Sequence, residues 1–418
     1  MDRIELGTQS LLDYRGFADD AGSVQDTEDT NVLVAKLKSD DPANTLIVTS
    51  IQKMSRIEAN SSFNAHDIEL IREKRIVFII DEAHRDVFGE MLRTIKETFP
   101  SAMFFGFTGT PIHEENQKKM STTSDVFGNE LHRYSIADGI RDKNVLGFDP
   151  YMVPTYKDRD LRKAVALEKA KAPTEAAAMS DPKKKKKYLH YMDHTSVPMA
   201  GVVQADGTYL KGIEDYLPNS QYEREEHQRA VVTDILDNWV TLSHGSKFHA
   251  IFATSSIPEA IQYYRLFKEM GSLKVTALFD PSIDNNGGAI LKEESLIEIL
   301  EDYNSRYDMK FQSAAYGTFK RDVSYRLAHK EQYKSVERNP EQQIDLLIVV
   351  DQMLTGFDSK WINTLYLDKV LVYEKLIQAF SRTNRLFGPE KPFGTIRYYR
   401  KPYTMRRNID EAFKLYSG

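Results

Sequence analysis

Short strand-like runs, mostly apolar and most of them followed by polar residues, constrain this chain more than any other feature. They are Leu46–Thr49, Ile76–Ile80, Ala102–Phe107, His249–Ala253, Lys274–Phe279, Asp345–Val350, Thr364–Leu367 and Thr395–Tyr399. A strand wetted on one side alternates apolar and polar residues. A strand without alternation is buried on both faces, as in a parallel sheet covered by helices. Helical patterns fall between the runs, up to about Phe99, over 257–270 and over 374–386. This pattern predicts an α/β chain with two parallel-sheet domains. Residues 151–230 break the alternation and carry Lys183–Lys187 in succession, so they read as an irregular connector or insertion. The lysine run has two readings: a contact to a nucleic-acid backbone, or a solvated loop, as blocks of like charge usually are. Its Ala, Pro and Ser neighbours supply no rigid platform, which favours the loop.

Composition narrows the function without naming it. The chain has 418 residues, 41% hydrophobic and 28% charged, which is room for two or three globular domains. No run reaches the roughly 18–20 apolar residues of a membrane helix, and no apolar leader core follows Met1. Cysteine is absent, which excludes disulfide frameworks, cysteine zinc sites and thiol nucleophiles. The expectation is a cytoplasmic protein with no membrane partner. Net charge is −6, so any nucleic-acid contact must rest on a few placed residues rather than on bulk charge.

The chemistry sits where the apolar runs end. Ligands of open α/β sheets bind at the carboxyl ends of the strands. Val77–Ile80 delivers Asp81-Glu82-Ala83-His84 to that edge. Asp81 suits a magnesium ion bridging nucleotide phosphates, and Glu82 suits orienting and deprotonating a water. The same acids would also favour the start of a following helix. After run 102–107 comes Thr108-Gly109-Thr110-Pro111, whose hydroxyls could relay nucleotide state, although such turns are common. After run 345–350 comes Asp351-Gln352-Met353-Leu354-Thr355-Gly356-Phe357-Asp358. There the Thr355 hydroxyl and Gly356 N–H suit a DNA phosphate or the nucleotide, and Asp358 suits a link to the helix that follows. Thr49, Gln52 and Lys53 are likewise typical phosphate-backbone partners. Gln378, Arg382 and Arg385 stand at i, i+4 and i+7, one face of a continuous helix. Two guanidinium groups there could serve as arginine fingers or as a solvated helix face.

The order of these motifs resembles the motif series of superfamily 2 helicases and translocases. Their spelling resembles the R (restriction) subunit of type I restriction–modification enzymes. The likeness rests on Ile79-Ile80-Asp81-Glu82-Ala83-His84-Arg85, Gly106-Phe107-Thr108-Gly109-Thr110-Pro111-Ile112, Met353-Leu354-Thr355-Gly356-Phe357-Asp358, Asn363–Lys369 and Gln378-Ala379-Phe380-Ser381-Arg382-Thr383-Asn384-Arg385. Ser381 stands where most of the superfamily has glycine and the type I family has serine. The likeness runs from the first residues to about 400, apart from 155–225.

The resemblance implies an ATP- and magnesium-dependent translocase on double-stranded DNA. It implies an attached nuclease, and methylation and specificity subunits as partners. It gives Asp81 the magnesium role and Glu82 water activation. His84, Thr108 and Thr110 become coupling residues, and Thr49, Gln52, Lys53 and Thr355 the DNA track. His84, Gly356, Asp358, Gln378, Arg382 and Arg385 join the nucleotide site. It implies RecA-like domains over 1–150 and 231–402, a connector over 151–230, and the start of a helical region over 403–418. A P-loop ending in Gly-Lys is expected before the acids, yet no Gly-Lys dipeptide occurs in the sequence. The first domain is therefore expected to be truncated on its P-loop side, within an internal piece of a longer subunit that is inactive alone. Two alternatives stand beside this: another superfamily 2 DNA or RNA helicase, and a catalytically incomplete nucleic-acid or partner-binding module.

Overall fold

The apolar runs become strands, and the polar residues after them become the edge loops. The computed structural model describes residues 11, 14–18, 21–57, 65–83, 88–114, 122–271, 273–279, 289–354 and 357–417. His84, Thr355 and Gly356 lie outside the described residues. The chain divides into two compact units, Met1–Ile136 and Ala137–Gly418.

In the first unit, β1 (Val24–Gln25) pairs in parallel with β2 (Leu46–Ile47). Separately, β3 (Val77–Ile80) pairs in parallel with β4 (Met103–Gly106), with Val77 opposite Met103 and Ile80 opposite Gly106. Helices 30–38, 51–55, 65–73 and 88–98 surround them. Leu33, Ile51, Ile71, Ile80, Leu92 and Phe99 are among the residues of their common core. Side chains set the helix starts: Asp29 accepts from the Val32 N–H at 2.9 Å, and Ser50 from the Lys53 N–H at 3.4 Å.

The second unit holds β5 (Phe148–Met152), the ribbon β6 (Val202–Val203) and β7 (Tyr209–Leu210), β8 (His249–Thr254), β9 (Val275–Leu278), β10 (Leu346–Val349), β11 (Ile362–Asp368) and β12 (Gly394–Tyr398). Six of these form one parallel sheet in the order β5-β12-β11-β8-β10-β9. Every residue of β8 through β12 is buried, including Arg397 of β12, whereas in β3 and β4 the expected burial on both faces fails, since Val77, Ile79, Met103 and Phe105 are exposed. The division between units falls earlier than 150, because β5 pairs with β12 from Gly394–Phe148 to Tyr398–Met152.

Residues 151–230 contribute only the end of β5 to that sheet. Helices 158–170, 175–180 and 182–192 pack on one another around Ala166, Ala170, Ala178 and Tyr188. The expectation of a loop for Lys183–Lys187 is overturned: the run lies in helix Pro182–Met192. Asp181 caps it by accepting from the N–H groups of Lys183 and Lys184, and Pro182 occupies the first turn, where its missing N–H costs nothing.

Candidate functional site

At the carboxyl end of β3, Glu82 takes a left-handed backbone, φ 54°, which few non-glycine residues adopt. Its N–H donates to Asp81 Oδ1 at 2.8 Å, which holds the Asp81 carboxylate against the turn, and both acids are half-buried. The ladder continues past the strand ends: the Phe107 N–H reaches the Ile80 carbonyl at 2.8 Å, and the Ala83 N–H the Phe107 carbonyl at 2.9 Å. The acid turn and the Thr108 turn are thereby held side by side. Thr108 Oγ1 accepts from the Thr110 N–H at 3.1 Å, and Thr110 is buried. Backbone strain of this kind collects at functional sites.

A cavity of about 1030 Å³ in this unit is lined by Thr49, Ser50, Ile79, Asp81 and Phe107, among others. Thr49 and Asp81 therefore share a space. Thr49 Oγ1 lies 2.8 Å from Thr27 Oγ1. The Lys53 ammonium donates to the Thr27 carbonyl. Gln52 and Lys53 stand in helix 51–55 and do not line the cavity.

In the second unit the helix carrying the arginines is shorter than the spacing predicts. It spans Tyr373–Phe380, so Gln378, Arg382 and Arg385 do not share one helix face. At its end the backbone tightens into i−3 bonds, from the Arg382 N–H to Ala379 O at 3.1 Å and from the Thr383 N–H to Phe380 O at 2.9 Å, and side chains bond back to the last carbonyls. Ser381 Oγ donates to Ile377 O at 2.8 Å, Arg382 Nε to Gln378 O at 3.0 Å, and Thr383 Oγ1 to Phe380 O at 2.8 Å. The turn brings both guanidinium groups onto the loop after β10 all the same. Arg382 also donates to the Phe357 carbonyl, and Arg385 pairs with the Asp358 carboxylate. The link expected at Asp358 is thus an ion pair, with each side chain a little over one-third exposed.

Two features here were invisible in the spacing. Lys391 is 1% exposed and donates to Ile362 O at 2.6 Å and Lys360 O at 3.0 Å. Burial pushes its ammonium down to about 7, Arg385 adds to the effect, and Asp358 opposes it. At the end of β11, Asp368 is fully buried and accepts from His227 Nε2 at 2.9 Å, Tyr263 OH at 2.7 Å and Arg400 at 3.2 Å. Arg400 also pairs with Glu259. This network ties β11 and β12 to helices 225–242 and 257–270. Only the polar residues at buried positions hinted at it, and their partners are more than a hundred residues apart in several cases.

Comparison with known proteins identifies the lineage. The family described as SWI2/SNF2 ATPase matches residues 1–187, and the family described as Type I restriction enzyme subunit R domain 3 matches 246–401. The chain is 34% identical over 427 residues to the type I restriction enzyme SauMRSORF196P endonuclease subunit of Staphylococcus aureus (strain MRSA252), covering 100% of this chain and 39% of that protein. The SsaAORF53P endonuclease subunit of Staphylococcus saprophyticus is likewise 34% identical, over 429 residues and with the same coverage. The chain belongs to the R-subunit family of type I restriction enzymes. It spans about two-fifths of the length of these relatives. Among solved structures, a single-residue variant of Dbp5 from S. cerevisiae bound to RNA and ADP BeF3 aligns with TM-score 0.50 and 11% identity. That alignment covers 99% of this chain and 73% of Dbp5, a likeness of fold alone.

For an R-subunit relative, the acids fit nucleotide-bound magnesium better than a protein-only cage. Among the described residues no group of three or more His, Cys, Asp or Glu could hold a metal ion. Magnesium bound with a nucleotide needs only one or two carboxylates, the rest being phosphate oxygens and waters, which a single Asp81 satisfies. No helix among the described residues is long and apolar enough to cross a membrane.

Proposed function

We propose that this chain is motor machinery of a type I restriction R subunit, coupling ATP hydrolysis to movement along double-stranded DNA. One observation carries the reading: two adjacent acids at the end of β3, with Glu82 locked to Asp81, in the region matched by the SWI2/SNF2 ATPase family. Magnesium-ATP, when bound, supplies the phosphoryl group and part of the charge neutralisation. Asp81 holds the metal, and Glu82 orients a water and accepts its proton. His84, Thr108 and Thr110 couple nucleotide state to the DNA track formed by Thr49, Gln52, Lys53 and Thr355. Gly356, Asp358, Gln378, Arg382 and Arg385 complete the nucleotide site, with the two arginines stabilising charge on the transferred phosphoryl group. The first unit, to Ile136, and residues 231–402 with β5 at the edge of their sheet are the two motor domains, the rest of 151–230 is the connector, and 403–418 is the start of a helical region. Methylation and specificity subunits are the proposed protein partners.

The sequence has no Gly-Lys dipeptide to cradle the β- and γ-phosphates, so the 418-residue chain alone should not turn over ATP. In a protein of the relatives' full length carrying this sequence, Glu82→Gln should lower duplex-stimulated ATP turnover by about 10²–10⁴-fold. Robust turnover by the isolated chain, or stimulation by RNA in preference to duplex DNA, would contradict the assignment.

A further inference from the structure

The lysine run is a rigid surface, and neither the family matches nor the motor assignment gives it a task. Residues 157–192 hold eleven basic against five acidic side chains, in a chain whose net charge is −6. Along helix 182–192, at about 100° per residue, Lys184, Tyr188, Tyr191 and Met192 fall on one side. That side is turned inward: Tyr188 is buried, Lys184 and Tyr191 are half-buried, and the helix packs against helix 158–170. Lys183, Lys186, Lys187 and His190 fall on the other side, and all four are exposed.

Among the described ion pairs, none involves Lys183–Lys187, while Glu175 is taken by Lys163 at 2.8 Å. Asp181 Oδ1 accepts from the Lys183 and Lys184 N–H groups. Like charges three and four residues apart repel, and positive charge near a helix N-terminus opposes the helix dipole. The chain holds an unfavourable arrangement that a polyanion would relieve.

We propose that Lys183, Lys186 and Lys187 form a contact for the phosphate backbone of double-stranded DNA. The choice of DNA rests on the motor reading above; the choice of duplex rests on this face. Single strands are gripped by exposed rings that stack on bases, but Tyr188 is buried and Tyr191 packs edge-on against Tyr216 with centroids 5.5 Å apart. Membrane-surface helices need a free apolar face, and here that face is used against helix 158–170. Three cations, with no exposed Tyr, Phe or Trp beside them on this helix, match sequence-independent backbone binding.

The test is fluorescence anisotropy of the 418-residue chain with a duplex of arbitrary sequence between about 50 and 200 mM salt. The triple variant Lys183→Gln, Lys186→Gln, Lys187→Gln should bind at least several-fold more weakly at low salt. Its plot of log K against log salt should be shallower by about 2–3, near 0.9 for each lost phosphate contact. A triple arginine variant keeps the charge and should bind like the parent, and circular dichroism checks that both variants stay helical. Unchanged affinity and slope in the glutamine variant would overturn the site, as would no duplex binding by the parent. So would equal, equally lysine-dependent binding to single-stranded RNA or to phosphatidylserine vesicles. The Glu82→Gln turnover assay is independent of all these outcomes, so the lysine site can fail while the motor reading stands.

Discussion

The two sheets are written in the same apolar language and buried differently. Every residue of β8–β12 is buried. In β3 and β4 the residues split by side. Phe78 stacks on Phe104 at 4.8 Å and Ile80 joins the core, whereas Val77 is 48% and Ile79 54% exposed. Met103 and Phe105 are exposed with them. An apolar run states what both faces of a strand tolerate; the packing around it decides how many are covered. The difference extends to the loops. Asp368, at the end of β11, is sealed in a network of His227, Tyr263 and Arg400, while Asp81 and Glu82, at the end of β3, stay half-buried, with Asp81 lining a cavity. The same strand-end position yields a structural anchor in one unit and an accessible pair of acids in the other.

The sealed edge should show the largest effect of substitution. Arg400→Met leaves Asp368 and Glu259 buried without their cation and should destabilise the second unit by about 3–5 kcal/mol. Both tryptophans, Trp239 and Trp361, lie in that unit, so urea unfolding followed by their fluorescence reports it selectively. A midpoint close to that of the parent would refute the anchor role. Next in size, Leu365→Ala in β11 removes a fully buried side chain and should cost about 2–5 kcal/mol. Ile79→Ala in β3 should cost under about 1 kcal/mol, measured by hydrogen exchange of the first unit. Equal costs would mean that the open face of β3 is covered in solution.

Most strands were legible because a run without alternation is a local signal. The acid pair was legible for the same reason: it stands directly after such a run. What the spacing could not show was the end of helix 373–380, because 3.6-residue periodicity carries no account of competing hydroxyls. Past Phe380 the Arg382 and Thr383 N–H groups turn to the Ala379 and Phe380 carbonyls, and the Ser381 and Thr383 hydroxyls bond back to Ile377 and Phe380. The meeting of Arg385 with Asp358 survived the error, since it needs proximity rather than a shared face. The lysine helix had a readable start in Asp181-Pro182, an N-cap followed by proline, which the weight given to like-charge repulsion obscured. Lys391 and the Asp368 network were beyond local reading, because residues distant in sequence satisfy them.

The sealed unit also carries a pH dependence. His249 Nε2 lies 2.8 Å from His329 Nε2, His249 Nδ1 meets the Ile344 carbonyl at 2.6 Å, and His329 stacks on Trp361 with centroids 3.8 Å apart. Burial, helped by the neighbouring imidazole, pushes His249 down to about 3; burial, helped by Lys360, pushes His329 down to about 4. Both are therefore neutral when folded, and both take up protons in the unfolded chain once pH drops below about 6.5. The unfolded state then binds more protons, so stability falls as pH is lowered from about 6.5 toward 4 and is flat above about 7. Between pH 7 and 5.5 the loss should be roughly 1 kcal/mol for each imidazole. His329→Gln should flatten the tryptophan-monitored stability profile over that interval by about half of the total. A variant profile parallel to that of the parent would show that the imidazole pair does not set the acid limit of this unit.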